Sequence, residues 1–196
     1  KLDATDIKYA EQLGYRIKLL GITKHTDEGI ELRVHPTLIP GKRLIANVEG
    51  AMNAVLVQGD AVGATLYYGK GAGAEPTASA VIADLVDVTR MHTADPQNRV
   101  PHLAFQPNQL ADLKILSIDE VQTSYYLRMR VQDKPGVLAN ITRILADEQI
   151  SIDAVIQKEP GEGEEQTDLI MLTHLTREKR INAAIAKIEA LKVVAG

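Results

Sequence analysis

Apolar and polar residues alternate most clearly in the second half of the chain. A period of two residues predicts a strand, and a period of 3.6 residues predicts a helix. The predicted elements are, in order, a strand at 125–131, a helix at 138–148, strands at 150–156 and 168–175, a helix at 177–191 and the start of a strand at 193–195. This β-α-β-β-α(β) order is typical of a ferredoxin-like fold.

Shorter patterns in the first half predict two antiparallel hairpins and two helices. The first helix lies within residues 1–14, where Asp3 or Thr5 can cap it and Gly14 ends it. The other predicted elements are a hairpin at 15–35 around a polar turn, a second hairpin at 53–68 and a helix at 77–90. We therefore predict an α+β protein whose first half is an antiparallel or mixed sheet with covering helices.

Residues 92–120 follow neither period, and Pro96, Pro101 and Pro107 interrupt them. We predict a linker there, between a first domain at 1–91 and a second at 121–196. The two helices of the second domain are expected to cover one face of its sheet. Because the strand at 168–175 is apolar on both faces, we expect the other face to pair with another copy or with another domain. We also expect the protein to be at least a dimer.

Composition excludes several classes of protein. The net charge is −4, without a basic patch, which argues against nucleic acid as a partner. The chain has no cysteine and no run of about 20 apolar residues, so disulfides, zinc-cysteine sites and a membrane span are not expected. The five histidines and the acidic run 159–165 lack the spacing of metal ligands. We expect a cytoplasmic protein without a metal.

A glycine-rich loop precedes the helix at 77–90. Gly69, Gly71 and Gly73 allow sharp turns and close approach of a ligand, and a helix N-terminus attracts anions. The loop lacks the third glycine of the dinucleotide fingerprint and does not lie within a β-α-β unit, which argues against a Rossmann site. From residue types alone, a structural turn and a ligand-facing loop are equally supported.

The second domain contains Asp133-Lys-Pro-Gly-Val-Leu-Ala139 followed by Ile150-Ser-Ile-Asp153. In these residues it resembles an ACT domain, a small regulatory module that binds amino acids, and the resemblance covers residues 121–196. It implies an effector site at the turn from the first strand to the first helix.

At that turn, backbone N–H groups can hold a carboxylate. The groups expected to do so are those of Gly136, Val137 and Leu138. Asp133 or Asn140 would take an ammonium group or a side-chain hydroxyl. The alternative is that this turn merely starts the helix and that Asp133 caps it.

Four stretches of the first half are informative together, namely Leu13-Gly-Tyr-Arg-Ile-Lys-Leu-Leu-Gly21, Val34-His-Pro-Thr-Leu-Ile39, Asn47-Val-Glu-Gly-Ala-Met-Asn-Ala54 and the stretch from Tyr68 to Val81. In these stretches the first half is similar to bacterial homoserine dehydrogenase. It implies an oxidoreductase that interconverts L-homoserine and L-aspartate 4-semialdehyde with NAD or NADP, in threonine, methionine and isoleucine biosynthesis. The ACT domain would then provide feedback control by L-threonine.

In that family an N-terminal Rossmann domain binds most of the cofactor. The proton-transferring lysine and the acidic groups that hold homoserine also precede the part matched here. We therefore expect no catalytic residue in this chain and no turnover by it alone. The resemblance carries over one cofactor contact, the Gly73 backbone, with Gly71 and Thr77 beside it. The alternative function is a non-enzymatic module for amino-acid binding and oligomerisation.

Overall fold

The computed structural model describes residues 2–93 and 104–195. These residues form two compact units. Unit 1 contains residues 2–6, 19–36 and 113–195, and unit 2 contains residues 7–18, 37–93 and 104–112. Residues 94–103 of the predicted linker lie outside the described residues. The predicted second domain thus falls within unit 1, together with two segments from the beginning of the chain.

The element order follows the predicted pattern. The elements are α1 (Ala4–Gln12), β1 (Tyr15–Thr26), β2 (Gly29–Pro40), β3 (Met52–Gly59), β4 (Gly63–Lys70), α2 (Ala74–Thr93), β5 (Gln122–Thr123), β6 (Tyr126–Gln132), α3 (Val137–Asp147), β7 (Ile152–Gln157), β8 (Gln166–Thr173), β9 (Thr176–Arg177) and α4 (Glu178–Glu189). The α+β class and the ferredoxin-like order from β6 to α4 are confirmed.

The main sheet of unit 1 is antiparallel, with strand order β6-β8-β7. Buried apolar residues of α3 and α4 pack against one face of this sheet. They are Ile141 and Leu145 of α3, and Ile181, Ala184 and Ile188 of α4. The strand predicted at 193–195 appears as an isolated bridge between Val194 and Val131 at the edge of β6.

The second face of this sheet is covered within the chain. Tyr126 pairs with Leu172 and Arg128 pairs with Ile170, so these side chains share one face. Ile170 is only 1% exposed and Leu172 only 9% exposed. Other parts of the same chain therefore bury these two positions, which agrees with the alternative that the face is covered by another part of the protein. Association with a second copy stays a prediction.

Helix α1 begins with a reciprocal cap. The Asp3 carboxylate accepts hydrogen bonds from the N–H groups of Thr5 (2.7 Å) and Asp6 (3.3 Å). The Asp6 carboxylate accepts one from the N–H of Asp3 at 2.8 Å. This arrangement satisfies free N–H groups at both ends of the first turn. Of the two predicted caps, Asp3 is therefore correct, and Thr5 lies inside the helix.

Asp6 also joins α1 to the second face of the sheet. Its Oδ1 accepts hydrogen bonds from Arg128 Nε at 2.6 Å and from the Tyr126 hydroxyl at 2.9 Å. Arg128 Nη2 donates to Asp3 Oδ2 at 2.7 Å. We call these four residues the N-terminal clasp. Burial by itself would raise the pKa of Asp6, but the hydrogen bonds from Arg128, the Asp3 N–H and Tyr126 outweigh it and lower the pKa below its ordinary value.

The lowered pKa of Asp6 predicts a loss of stability in acid. A carboxylate with a depressed folded-state pKa stabilises the protein above its unfolded-state pKa and loses that effect as the pH falls through its folded-state pKa. We expect the free energy of unfolding to fall from about pH 5 downward. In Asp6→Asn this acid dependence should be weaker, whereas Asp84→Asn, at an exposed position on α2, should retain it. Urea unfolding at a series of pH values measures the difference, and equal slopes in both variants would contradict the assignment.

The β1–β2 hairpin is confirmed. Its tip contacts residues just before the ACT-like fold, a name that we use for residues 121–195. We call residues 26–31 the hairpin tip. The N–H of Ile30 donates to the Lys114 carbonyl at 2.8 Å, and the Leu116 N–H donates to the Ile30 carbonyl at 2.9 Å. Glu28 accepts a hydrogen bond from Arg177 Nη2 at 3.1 Å. Part of the predicted linker is therefore ordered against the hairpin tip.

Unit 2 contains the second hairpin and the long helix α2. Strands β3 and β4 pair from Met52 with Lys70 to Gly59 with Gly63. Helix α2 begins at Ala74, three residues before the predicted start. Its apolar stripe is exposed to solvent, with Val81, Ile82, Leu85 and Val86 each between 42% and 59% exposed. No helix in residues 2–93 or 104–195 is both long and apolar enough to cross a membrane.

Candidate functional site

The turn between β6 and α3 has the geometry that its sequence predicts. Gly136 is the residue before α3 and has a φ angle of +89°, in the left-handed region. A Cβ atom there would meet nothing within 4 Å, so backbone conformation rather than crowding favours glycine. The N-terminus of α3 is thereby turned toward the end of β6.

A cavity of about 400 Å³ lies beside this turn. Its lining consists of Val131, Asp133, Lys134, Pro135, Gly136, Val137, Leu138, Gln157 and Leu169. Such a volume lies within the range of small-ligand sites. Four of the five predicted effector residues are therefore brought together. Asn140 is not among the lining residues, and its N–H donates to the Gly136 carbonyl at 2.9 Å inside the helix.

Asp133 does not act as the cap of α3. Its carboxylate accepts a hydrogen bond from Gln157 Nε2 at 3.1 Å, and its N–H donates to the Glu165 carbonyl at 3.0 Å. Gln157 ends β7 and was not predicted as a site residue. Its register opposite Leu169 on β8 places it at the cavity, and only strand pairing reveals that position.

The backbone donors at the turn are fewer than predicted. The N–H of Val137 donates to the Lys134 carbonyl at 3.3 Å, so it already has an acceptor. In the described part of the chain, the N–H groups of Gly136 and Leu138 have none. A carboxylate in the cavity could therefore take these two donors at the positive end of α3, with Asp133 available to an ammonium group.

Backbone conformation favours glycine at one position of the glycine loop, since Gly73 has a φ angle of +119°. A Cβ atom on Gly71 would lie 2.3 Å from Asn53 Nδ2, but that atom ends a flexible side chain that can move. Thr77 lies inside α2, and its N–H donates to the Gly73 carbonyl at 3.1 Å. The cofactor contact predicted at Gly71, Gly73 and Thr77 stays a prediction. Within the described ranges, no group of three or more His, Asp or Glu side chains gathers as metal ligands would.

Two family models match the chain. The homoserine dehydrogenase model matches residues 1–86, and the ACT domain model matches residues 125–193. Homoserine dehydrogenases from Pseudomonas aeruginosa and Neisseria gonorrhoeae are 58% and 60% identical to it over 196 and 195 residues. The chain covers 45% and 44% of those proteins, so it spans less than half the length of the curated relatives it matches.

A solved structure is also similar to this chain. The crystal structure of a homoserine dehydrogenase from Thiobacillus denitrificans is similar to all of this chain, with a TM-score of 0.91 and 71% identity. The chain covers 44% of that protein. Both units, with the cavity and the glycine loop, therefore lie in the part that the two proteins share.

Proposed function

This chain belongs to the homoserine dehydrogenase family and corresponds to the C-terminal part of its members, and from that premise we propose that it is the oligomer-forming and regulatory part of a cytoplasmic NAD(P)-dependent enzyme. The proposed reaction interconverts L-homoserine and L-aspartate 4-semialdehyde, with hydride transfer to or from the nicotinamide. The observation that carries the proposal is the similarity of the whole chain to the homoserine dehydrogenase structure at a TM-score of 0.91.

Exposed apolar surface supports a larger assembly. The stripe on α2 contains four large apolar residues that the described chain leaves in solvent. On the β1–β2 hairpin, Leu19 and Val34 are 71% and 73% exposed. Apolar surface of this kind is typical of interfaces. We propose that the preceding part of the enzyme covers α2 and that a second copy covers the hairpin.

The cavity at the β6–α3 turn is the proposed effector site, and L-threonine is the proposed effector. Its carboxylate would accept hydrogen bonds from the N–H groups of Gly136 and Leu138. Its ammonium group would bind the Asp133 carboxylate, which Gln157 already orients. Charge-assisted hydrogen bonds of this kind are about twice as strong as neutral ones.

Asp133→Ala should weaken binding of L-threonine to this chain about tenfold, because the ammonium group loses its charged partner. Isothermal titration calorimetry measures the affinity. The matched control is Asp147→Ala, which removes an exposed carboxylate at the end of α3 and should leave the affinity unchanged. Equal affinity in both variants would remove Asp133 from the site, and no binding to the unmodified chain would remove the effector proposal.

The enzymatic proposal is tested by joining this chain to the N-terminal part of the Thiobacillus denitrificans protein. We expect the fusion to form NAD(P)H from L-homoserine and the chain alone to form none.

In the fusion, Thr77→Val should weaken cofactor binding about fivefold if its hydroxyl contacts the cofactor. Ser79→Ala serves as the control, because it removes a hydroxyl from an exposed position on α2 two residues after Thr77.

The alternative proposal is a non-enzymatic amino-acid-binding module. One observation favours it, namely that the cavity and the sheet and helices around it are complete within this chain. An inactive fusion that still binds L-threonine would support this alternative. An active fusion would reject it.

A further inference from the structure

Two early segments of the chain share buried polar contacts with the ACT-like fold, although the homoserine dehydrogenase family model matches them. The first segment is residues 2–6. Asp6 is 3% exposed and accepts hydrogen bonds from Arg128 and Tyr126, more than a hundred residues later. The N-terminal clasp therefore attaches the beginning of the chain to β6.

The second segment is residues 19–36, which include the hairpin tip. Gly29 lies so close to the Lys114 carbonyl that a Cβ atom would be 2.5 Å from its oxygen. Glu31 is 2% exposed, and it receives hydrogen bonds from Arg33 at 2.6 Å and from the Gln122 N–H at 3.4 Å. The hairpin tip thus contacts the residues that lead into β5 and β6.

Separation of either segment would break several of these contacts at once. Residues 2–6 would lose the hydrogen bonds from Arg128 and Tyr126 to Asp6. Residues 19–36 would lose the two backbone hydrogen bonds of Ile30 and the one from the Gln122 N–H to Glu31. Conversely, if β6 and the strands beside it unfolded locally, both segments would lose the surface that they contact. Opening of the early segments and opening of the ACT-like fold are therefore linked.

We propose that residues 2–6 and 19–36 open and close together with the ACT-like fold as one cooperative element. This device would let an effector act on chain segments far from its cavity. Only that regulatory use rests on the proposed function, since the coupling itself needs no ligand.

Hydrogen exchange of the full chain tests the coupling. Ile181 of α4 is 1% exposed and lies in the core that α3 and α4 form against the sheet. Ile181→Ala should increase amide exchange in residues 126–132 on the order of 100-fold by opening the core. We expect amide exchange in residues 19–36 to increase by the same factor and amide exchange in residues 52–70 to stay unchanged. If the variant fails to fold, Ile181→Val provides the same comparison with an increase of about fivefold.

Two results would overturn the coupling. One is unchanged exchange in residues 19–36 while that in 126–132 rises, which would mean that the hairpin tip opens independently. The other is an equal rise in 52–70, which would mean that the whole chain unfolds at once.

Adding L-threonine to the unmodified chain separates this inference from the proposed function. Protection of residues 19–36 together with 133–138 supports both. Protection limited to 133–138 overturns the regulatory use and leaves the effector site in place, while the Ile181 variants decide the coupling itself. No protection anywhere rejects L-threonine as effector, and the Ile181 variants then decide the coupling without it.

Discussion

Replacing Arg128 with methionine will lower the free energy of unfolding of unit 1 by about 3 kcal/mol. The methionine preserves much of the aliphatic volume but removes the guanidinium that donates to Asp6 at 2.6 Å. The Asp6 carboxylate then remains buried without its cation, and an uncompensated buried charge is strongly destabilising. Urea unfolding at neutral pH, followed by circular dichroism, measures the change.

Arg130→Met is the matched control for this prediction. Arg130 lies two residues further along β6 on the same face, but its side chain is 43% exposed. It pairs with Glu164, which is 52% exposed, and more distantly with Asp168 at 3.9 Å. An exposed pair of this kind contributes at most about 1 kcal/mol. Combining Arg128→Met with Asp6→Asn should restore part of the loss, because the buried charge is then removed. Equal losses in the two arginine variants would show that the clasp is no stronger than a surface ion pair.

Gly29→Ala will also destabilise unit 1 by about 3 kcal/mol, and two effects contribute. Gly29 has a φ angle of +146°, which side chains of L-residues rarely adopt. The added Cβ would lie 2.5 Å from the Lys114 oxygen and 3.1 Å from Leu116 Cδ2, so the hairpin tip must move. The hydrogen bonds of Ile30 to Lys114 and Leu116 would weaken with that movement.

The control for Gly29 lies in the same hairpin. At Gly21, a Cβ atom would make an ordinary contact with Val34 Cγ2 at 3.9 Å. Gly21→Ala should therefore change the free energy of unfolding by less than about 0.5 kcal/mol. Thermal unfolding of both variants gives the comparison. A Gly29→Ala variant as stable as Gly21→Ala would contradict the close packing of the hairpin tip.

Local patterns were sufficient for the ACT-like half. Strands there alternate with a clear period, and α3 and α4 each carry an apolar stripe that packs on one sheet face. The Asp133–Gly136 turn could also be predicted from the sequence, because a left-handed residue at the start of a helix strongly favours glycine. Four of the nine residues that line the cavity were predicted for the same reason, since they lie in this turn or directly after it.

Residues that reach a site by strand pairing could not be predicted. Gln157 lies at the cavity because β7 pairs with β8 in one register, and neither residue type nor spacing encodes that register locally. The engagement of the Val137 N–H with Lys134 was missed for a related reason, because it depends on the detailed path of the turn. What covers the second sheet face was left open between another copy and another domain, because the residues that bury it come from distant parts of the chain.

The sequence by itself determined the class of fold, the order of its elements and the position of the candidate effector turn, because short-range periodicity and glycine conformation decide these features. Only the tertiary structure decided which early segments belong with the ACT-like fold. Asp6 and Arg128 are ordinary charged residues until folding buries the carboxylate beside the guanidinium. Likewise, Gly29 is an unremarkable turn residue until Lys114 packs against it. Such contacts join residues far apart in the chain, and burial then gives them a free energy that neither residue has alone.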